Sequence, residues 1–255
     1  MIEEIARVEE HEDEGNGYRR LVLSAPSVAA DAAPGQFVHI KVPSLEESAL
    51  RRPFSIFDAA EGKVAVLYKT VGRGTAALAS VRKGDEVSVL GPLGRGFPSK
   101  CSGTALLVGG GYGVAPLYFL AKKLDCPKIL FVGGRSAPDV LALRDFGKIG
   151  VEARVATNDG SLGEKGFVTV PLDAETKRLR EAGEKFEFFT CGPDGLLKAI
   201  ADRSLALGAP GWISMDRHMI CGVGACYACV QKTVRGYSRC CIEGPVFPAE
   251  DLVWE

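Results

Sequence analysis

The sequence has almost no net charge, no long apolar run and no sign of a secretory signal. Its 31 basic and 32 acidic residues leave a formal net charge of -1, which gives no electrostatic reason to expect a nucleic-acid partner. No apolar run reaches about 18 residues, the length that a membrane helix needs. The acidic stretch at positions 1–4 lacks the basic region and apolar core of a secretory signal. These absences predict a soluble, cytoplasmic protein.

The composition sets the size and class of the protein. Its 255 residues suffice for two medium domains and a small module, and 46% apolar residues can supply proper cores. Eight cysteines are present, and five of them lie between positions 221 and 241. Clustered cysteines fit a reducing compartment with a metal site better than a disulfide scaffold.

The cysteine cluster has the spacing of a metal centre. Cys221, Cys226 and Cys229 form a C-x4-C-x2-C array, and the pair Cys240 and Cys241 begins eleven residues later. This spacing is typical of plant-type [2Fe-2S] ligation. Glycines at 222 and 224 can take a positive φ, so the loop can wrap closely around a cluster and point its amide N–H groups at the sulfides.

Three other interpretations compete with a cluster. A structural zinc site would use the same ligands, although C-x4-C is unusual for zinc ribbons and fingers. Disulfides belong to oxidising compartments, and unliganded buried cysteines would not cluster in this way. Only one of Cys240 and Cys241 can be a ligand, because neighbouring side chains on an extended chain point in opposite directions.

The first hundred residues are predicted to form a small antiparallel barrel. Short stretches of alternating polarity at 18–23, 36–42 and 64–68 are separated by turn signals such as Gly15-Asn16-Gly17. About six strands at this spacing, with no long helical period, indicate such a barrel. The fold alone names no function.

Two segments of the predicted barrel carry chemistry. In the run R-P-F-S at 52–55, Arg52 and Phe54 point to one face, where a guanidinium can fork onto a pyrophosphate and a ring can pack on a flavin. Ser55 can bond to a flavin nitrogen. The plainer alternative is an ordinary strand with surface arginines.

The second segment, at 68–75, ends a strand in a glycine turn and starts a short helix at Thr75. A helix N-terminus binds phosphate, although a capped helix after a strand is an equally natural interpretation. We expect the cofactor contacts of the two segments to come from Arg52, Pro53, Phe54, Ser55, Tyr68, Lys69, Gly74 and Thr75.

After residue 98 the pattern changes to alternating strands and helices, which predicts a doubly wound parallel sheet. Strands are expected at 105–108, 129–132, 152–156 and 186–190, with helices at 114–124, 138–146, 174–181 and 195–207. The loop at 109–116 follows the first strand, where Gly111 and Gly113 let the backbone approach a pyrophosphate. Its third glycine is replaced by Pro116, which suits the first turn of a helix. A purely structural glycine loop is the alternative.

Two further loops lie at the carboxyl edge of this sheet. Cys191, followed by Gly-Pro, comes directly after a strand and faces the nucleotide crevice. Asp159 stands at the end of another strand, where an acid can bind ribose hydroxyls, whereas Arg135 could meet a 2′-phosphate. NAD and NADP therefore both remain open from the residues alone.

These motifs, in this order, resemble the electron-transfer subunits of class 1B dihydroorotate dehydrogenase, in the ferredoxin-reductase superfamily. The resemblance covers the whole chain and is carried by R-P-F-S, G-R-G-T at 72–75, G-x-G-x-x-P, C-G-P and the run from Cys241 to Phe247. It implies that Arg52, Gly74 and Thr75 bind the FAD phosphates, that Ser55 lies near flavin N5, and that Cys191 lies beside the nicotinamide. It also implies Cys241 as the fourth cluster ligand, and NAD as the nucleotide.

The implied domains are an FAD-binding barrel at 1–98, an NAD-binding α/β domain at 99–211 and a [2Fe-2S] module at 212–255. The implied function is electron transfer between NAD and a dihydroorotate-oxidising partner in pyrimidine synthesis. That partner would be an FMN-containing catalytic subunit in a heterotetramer with two copies of each chain. We expect the apolar segments 245–248 and 252–254 to form its docking face, although they could equally fold back on their own barrel.

Two alternatives stay open. A related NAD(P)H reductase subunit that serves ferredoxin, a hydrogenase or a glutamate synthase would share the two large domains. A non-catalytic redox sensor would keep the cluster but would not need Cys191, R-P-F-S or G-x-G-x-x-P.

Overall fold

The computed structural model describes residues 1–42 and 50–254. Its N-terminal part is a closed antiparallel barrel in which the strands follow the order β1-β2-β5-β4-β3-β6, as the sequence predicted. The strands are β1 (Ile2–Gly15), β2 (Tyr18–Ser24), β3 (Phe37–Lys41), β4 (Arg52–Ala60), β5 (Lys63–Lys69) and β6 (Glu86–Leu93). Two short helices, α1 (Pro26–Asp31) and α2 (Arg73–Leu78), accompany them.

The turn at Gly15-Asn16-Gly17 sets the register of the first hairpin. Gly15 pairs with Tyr18, and the two residues between them have positive φ, 51° at Asn16 and 77° at Gly17. Positive φ at both central residues matches the right-handed twist of paired strands, which is why asparagine and glycine are favoured there. The alternation that follows sends Leu21 and Leu23 into the fully buried barrel core.

The second part is a seven-stranded sheet in the order β10-β9-β8-β7-β11-β12-β15, parallel except for its last strand. Its strands are β7 (Thr104–Gly110), β8 (Lys128–Gly134), β9 (Glu152–Thr157), β10 (Glu164–Lys165), β11 (Phe186–Cys191), β12 (Gly211–Ser214) and β15 (Val246–Pro248), and its α-helices are α3 (Ala115–Lys123), α4 (Leu143–Lys148), α5 (Thr169–Glu181) and α6 (Asp194–Leu207). Short 3-10 helices occupy Gly111–Val114, Ala137–Asp139 and Ala249–Asp251. The predicted doubly wound sheet is confirmed.

Two predicted helices differ from the structure. The helix expected over 138–146 is broken, because Ala142 has a φ of 60°, and only α4 continues beyond it. The helix expected to start at Thr75 begins two residues earlier, after an extended Gly72.

The cysteine-rich segment is joined to the nucleotide sheet and is not a separate body. Strand β12 pairs with β11, and the distant strand β15 pairs antiparallel with β12. Between them lie the cysteine loop and the small hairpin of β13 (Val230–Thr233) and β14 (Gly236–Arg239). The domain boundary expected after residue 211 stays a prediction, and it falls inside β12.

The docking face expected at 245–248 and 252–254 is wrong, because three of its apolar side chains are buried inside the protein. Val246, Phe247 and Leu252 are at most 7% exposed. Phe247 and Leu252 pack in one core with Phe188 of β11 and Ile213 of β12, and Val246 packs in a second core with Phe189 of β11. Their apolar surface stabilises the sheet and is not available to a partner.

The longest helix in the described ranges, α6, has 14 residues. None of the helices described is both long and apolar enough to cross a membrane.

Candidate functional site

Two adjoining cavities lie where the barrel meets the carboxyl edge of the parallel sheet. The larger has a volume of about 860 Å³ and the smaller about 150 Å³. The two linings have five residues in common: Lys69, Tyr112, Gly113, Cys191 and Asp216. The two cavities therefore adjoin at these residues.

The smaller cavity is built mainly by the barrel. Strand β4 contributes Pro53, Phe54 and Ser55, and strand β5 contributes Tyr68 and Lys69. Phe54 and Tyr68 pack against each other with ring centroids 5.3 Å apart, which fixes the wall of the cavity. The structure thus brings together five of the residues that the sequence assigned to flavin binding.

Arg52 lies tightly against helix α2. A Cβ added at Gly74 would clash with Arg52 Nε and come within 3.1 Å of Cζ and 3.2 Å of Cδ. The glycine therefore lets the guanidinium rest on the first turn of the helix. Thr75, which also lines the cavity, uses its hydroxyl within the turn, where it accepts the N–H of Val71 at 2.9 Å and of Gly72 at 3.1 Å.

The larger cavity lies over the ends of β7, β8, β9 and β11. Gly111, at a φ of 55°, and Gly113 both line it. A Cβ at Gly113 would lie 2.5 Å from the carbonyl oxygen of Cys191, so only glycine allows the two loops to approach. The predicted approach of a pyrophosphate to the backbone at Gly111 and Gly113 stays a prediction.

Asp159 is the one predicted nucleotide contact that does not reach this cavity. Its carboxylate accepts the N–H of Ser161 at 2.9 Å and the hydroxyl at 2.6 Å, and these hydrogen bonds lower its pKa. Its neighbour Asn158 lines the cavity instead, as does Arg135. The carboxylate of Asp159 therefore stabilises the loop to which it belongs.

An acid that the sequence did not reveal, Asp139, lies in the wall of the larger cavity. It accepts hydrogen bonds from the Tyr18 hydroxyl at 2.9 Å, from Asn16 Nδ2 at 3.1 Å and from Arg135 Nε at 3.0 Å. Burial opposes its ionisation, but the bonds from Arg135 and Tyr18 outweigh burial and lower the pKa of the carboxyl. Asp139 thereby ties the barrel to the nucleotide sheet.

Cys191 and Asp216 form the wall between the two cavities. Burial, followed by the nearby carboxylate of Asp216, raises the pKa of the Cys191 thiol to about 12, so the thiol is neutral. Enclosure by protein also raises the pKa of Asp216, whose side chain still reaches the open cavity. Sequence reasoning missed Asp216, although it closely follows β12, which ends at the same edge as β11.

The cysteine loop holds its thiols in two pairs. Cys226 lies beside Cys221, and Cys229 lies beside Cys241. Burial opposes ionisation of Cys221, but backbone N–H groups, first that of Val223, outweigh it and lower its pKa to about 6. The N–H of Cys241 points to the Cys229 sulfur at 3.4 Å. Two thiolates per iron is the ligand set of a four-cysteine [2Fe-2S] cluster.

The vicinal cysteines face different surroundings. Cys241 contacts Cys229 and receives a backbone N–H from Gly224 of the loop. Burial, and then the neighbouring Cys229, raise the pKa of Cys240, whose surroundings also include Arg217 and Asp216. Gly222 and Gly224 have φ of 69° and 79°, as the loop geometry required. In residues 1–42 and 50–254, no three His, Cys, Asp or Glu side chains are already arranged around one metal position.

Comparison with known proteins identifies the family. The model of the iron-sulfur cluster binding domain of dihydroorotate dehydrogenase B matches residues 216–253, and that of the oxidoreductase FAD-binding domain matches residues 6–97. The dihydroorotate dehydrogenase B (NAD(+)) electron transfer subunit of Fusobacterium nucleatum is 44% identical over 230 residues, which cover 86% of each chain. The same subunit of Desulforamulus reducens is 39% identical over 243 residues, which cover 91% of each chain.

A solved structure of the NADH-dependent reduced ferredoxin-NADP oxidoreductase is also similar. It is 29% identical with a TM-score of 0.86, and the match covers 98% of this chain and 90% of that one. These matches confirm the FAD-binding barrel, the cluster module and the family that the motifs predicted. The chain belongs to the family of dihydroorotate dehydrogenase B electron transfer subunits.

Proposed function

We propose that this chain passes electrons between NAD and an FMN-containing, dihydroorotate-oxidising catalytic subunit in de novo pyrimidine (UMP) biosynthesis. The observation that carries the proposal is the wall shared by the two cavities, formed by Cys191 and Asp216. At this wall a nicotinamide in the larger cavity can lie next to a flavin in the smaller one. The paired thiols of the cysteine loop follow Asp216 closely in the chain. When bound, FAD exchanges two electrons with a nicotinamide and single electrons with a [2Fe-2S] cluster.

The residues present fit FAD. Arg52 and the first turn of α2 form a phosphate cradle that a side chain at Gly74 would fill. We assign FAD phosphate binding to Arg52, Gly74 and Thr75. Pro53, Phe54 and Tyr68 wall the isoalloxazine, with Ser55 near N5 and Lys69 at the opening towards the larger cavity.

The nucleotide takes the larger cavity. The bare backbone at Gly111 and Gly113 is assigned to the pyrophosphate, and Cys191 to the nicotinamide face beside the flavin cavity. A neutral thiol suits that place, because it can pack against the nicotinamide without adding charge. We assign NAD as the nucleotide, in line with the NAD(+) in the names of the related subunits. The carboxylate of Asp159 can bind the ribose hydroxyls only if its hydrogen bonds with Ser161 break.

The thiols fit the cluster. Cys221 and Cys226 would hold one iron, and Cys229 and Cys241 the other. Support for Cys241 over Cys240 comes from its contact with Cys229 and from the Gly224 N–H directed at its sulfur. The lowered pKa of Cys221 favours the thiolate that a metal binds.

The catalytic partner would dock over the cysteine loop, in a cytoplasmic heterotetramer with two copies of each chain. Cys226 is exposed, and the cysteine loop and the turn after Cys241 carry further exposed apolar side chains, with Ile220 39%, Val223 38%, Tyr227 60% and Ile242 37% exposed. A partner on this surface would cover the apolar side chains and bring its own cofactor close to the cluster. This loop surface replaces the docking face that the sequence suggested.

Reconstitution tests the function. The purified chain should contain FAD, iron and sulfide, and should reduce an artificial acceptor with NADH. It should not reduce NAD with dihydroorotate until the FMN-containing catalytic subunit is added. Dihydroorotate oxidation by the chain alone, or zinc in place of iron and sulfide in anaerobically prepared protein, would contradict the proposal.

A ferredoxin-linked reductase is the second candidate, favoured by the likeness to the NADH-dependent ferredoxin-NADP oxidoreductase over nearly the whole chain. Co-purification from the native source separates the two. Recovery of an FMN-containing dihydroorotate dehydrogenase in the complex supports the first function. Recovery of a ferredoxin-dependent partner supports the second.

A further inference from the structure

Two cysteines outside the cysteine loop lie at the amino edge of the nucleotide sheet, opposite the cavities. Cys101 comes shortly before β7, and Cys126 comes shortly before β8. Because β7 and β8 are neighbouring parallel strands, their amino ends meet at one edge of the sheet. Neither thiol has a role in the proposed function.

The register of the two strands brings these cysteines together. Ala105 pairs with Lys128 in the parallel register of β7 and β8. The same register, continued two residues towards the amino ends, puts Gly103 opposite Cys126. The Cys101 sulfur lies 3.6 Å from the carbonyl oxygen of Gly103, and Cys126 lies beside Cys101.

The surroundings of the pair leave it open to small oxidants. Both side chains are partly exposed, and on their inner side both pack against the core that contains Leu107 and Leu130. Burial, and then Cys126, raise the pKa of Cys101, so this thiol is protonated at neutral pH. In a reducing compartment the pair therefore stays as two thiols until an oxidant is present.

We propose that Cys101 and Cys126 form a reversible disulfide when the protein meets hydrogen peroxide. The sulfur of one cysteine attacks a peroxide oxygen, the O–O bond breaks, and one water leaves a sulfenic acid behind. The other sulfur attacks the sulfenic sulfur, so the S–S bond forms, the S–O bond breaks and a second water leaves. The two sulfurs lose two electrons to the peroxide, and both thiol protons end in the waters.

The bond would close a ring that contains β7, the glycine loop and α3. Such a cross-link stabilises a protein mainly by restricting its unfolded chain. Because it lies at the edge opposite the cavities, the residues assigned to FAD and the nucleotide keep their places. The bond also keeps two partly exposed sulfurs from irreversible oxidation to sulfinic acid. The disulfide is thus a protective modification of the nucleotide sheet.

The test treats the purified holoprotein with hydrogen peroxide, blocks the remaining thiols with iodoacetamide and digests the protein without a reductant. Mass spectrometry then identifies the peptides that a disulfide joins. Cys101→Ser and Cys126→Ser are the matched variants, because each removes one sulfur and keeps the size of the side chain. Turnover of NADH with an artificial acceptor, before and after oxidation, reports on the cavities.

We expect a peptide pair that joins Cys101 to Cys126 in the wild type, its loss after dithiothreitol, and its absence from both variants. The thermal midpoint of the wild type should rise on oxidation and return on reduction, without such a rise in the variants, while turnover stays unchanged. Sulfinic acid at either position without the joined peptides, or joins to other cysteines instead, overturns the inference. If a serine variant does not fold, the wild-type join and its reversal decide alone. Loss of turnover as the join forms contradicts the protective role.

Discussion

The substitution Gly74→Ala tests the proposed phosphate cradle, formed by Arg52 and the first turn of α2, by adding a single methyl group. The added methyl group would clash with Arg52 Nε and press on Cζ and Cδ, so the guanidinium must leave the first turn of α2. A hydrogen bond to a charged group contributes about 1.5–3 kcal/mol. Since about 1.4 kcal/mol is a factor of ten in affinity, complete loss would weaken FAD binding roughly 10- to 150-fold. We expect about tenfold, because the guanidinium is displaced and not removed.

The chain offers a matched control in the same turn. A Cβ at Gly72 meets nothing within 4 Å, and its backbone is extended, so Gly72→Ala should leave FAD affinity unchanged. Alanine also favours a helix over glycine by about 1 kcal/mol, so Gly74→Ala should not melt α2. FAD affinity is measured by calorimetry on the deflavinated protein.

A double mutant isolates the mechanism. If Gly74→Ala acts through Arg52, then adding it to Arg52→Ala should weaken FAD binding no further, because the contact is already gone. Wild-type affinity in Gly74→Ala, or additive losses in the double mutant, would refute the cradle.

Three other predictions address the cluster, hydride transfer and the junction of the barrel with the sheet. Cys241→Ser should lose the cluster spectrum while Cys240→Ser keeps it; the reverse result would make Cys240 the fourth ligand. Cys191→Ala should slow single-turnover flavin reduction by NADH while FAD content stays constant, and an unchanged rate would remove Cys191 from the nicotinamide site. Asp139→Asn should lower the free energy of unfolding, measured in urea at pH 7, by about 2 kcal/mol. Because the folded pKa of Asp139 is lowered, that difference should be present above about pH 4 and shrink as the pH falls below it; a difference independent of pH would contradict the ionised junction.

Local patterns allowed much of the site to be predicted from the sequence. The hairpin at Asn16 depends on two neighbouring residues with positive φ, and the cysteine loop depends on spacing within about twenty positions. Gly111 and Gly113 were found for the same reason, since a strand followed by a glycine loop is a short-range signal.

The remaining site residues depend on distant partners. Asp139 becomes part of the cavity wall only because Tyr18, 121 positions away, donates to it. Gly222 of the cysteine loop meets His39 of the barrel across most of the chain, and nothing near either residue in sequence signals that contact. The predicted helix at 138–146 failed because periodicity does not reveal a residue such as Ala142, whose positive φ is imposed by its surroundings.

The pairing of β15 with β12 has a consequence for attempts to divide this protein. The chain leaves the sheet after Ser214, forms the cysteine loop, and returns to add the outermost strand. A truncation after residue 214 would therefore uncover the hydrogen-bonding edge of β12 and the apolar side chain of Ile213, which invites edge-to-edge aggregation. A flavin reductase without its iron-sulfur segment cannot be made by deletion alone; it needs a replacement strand.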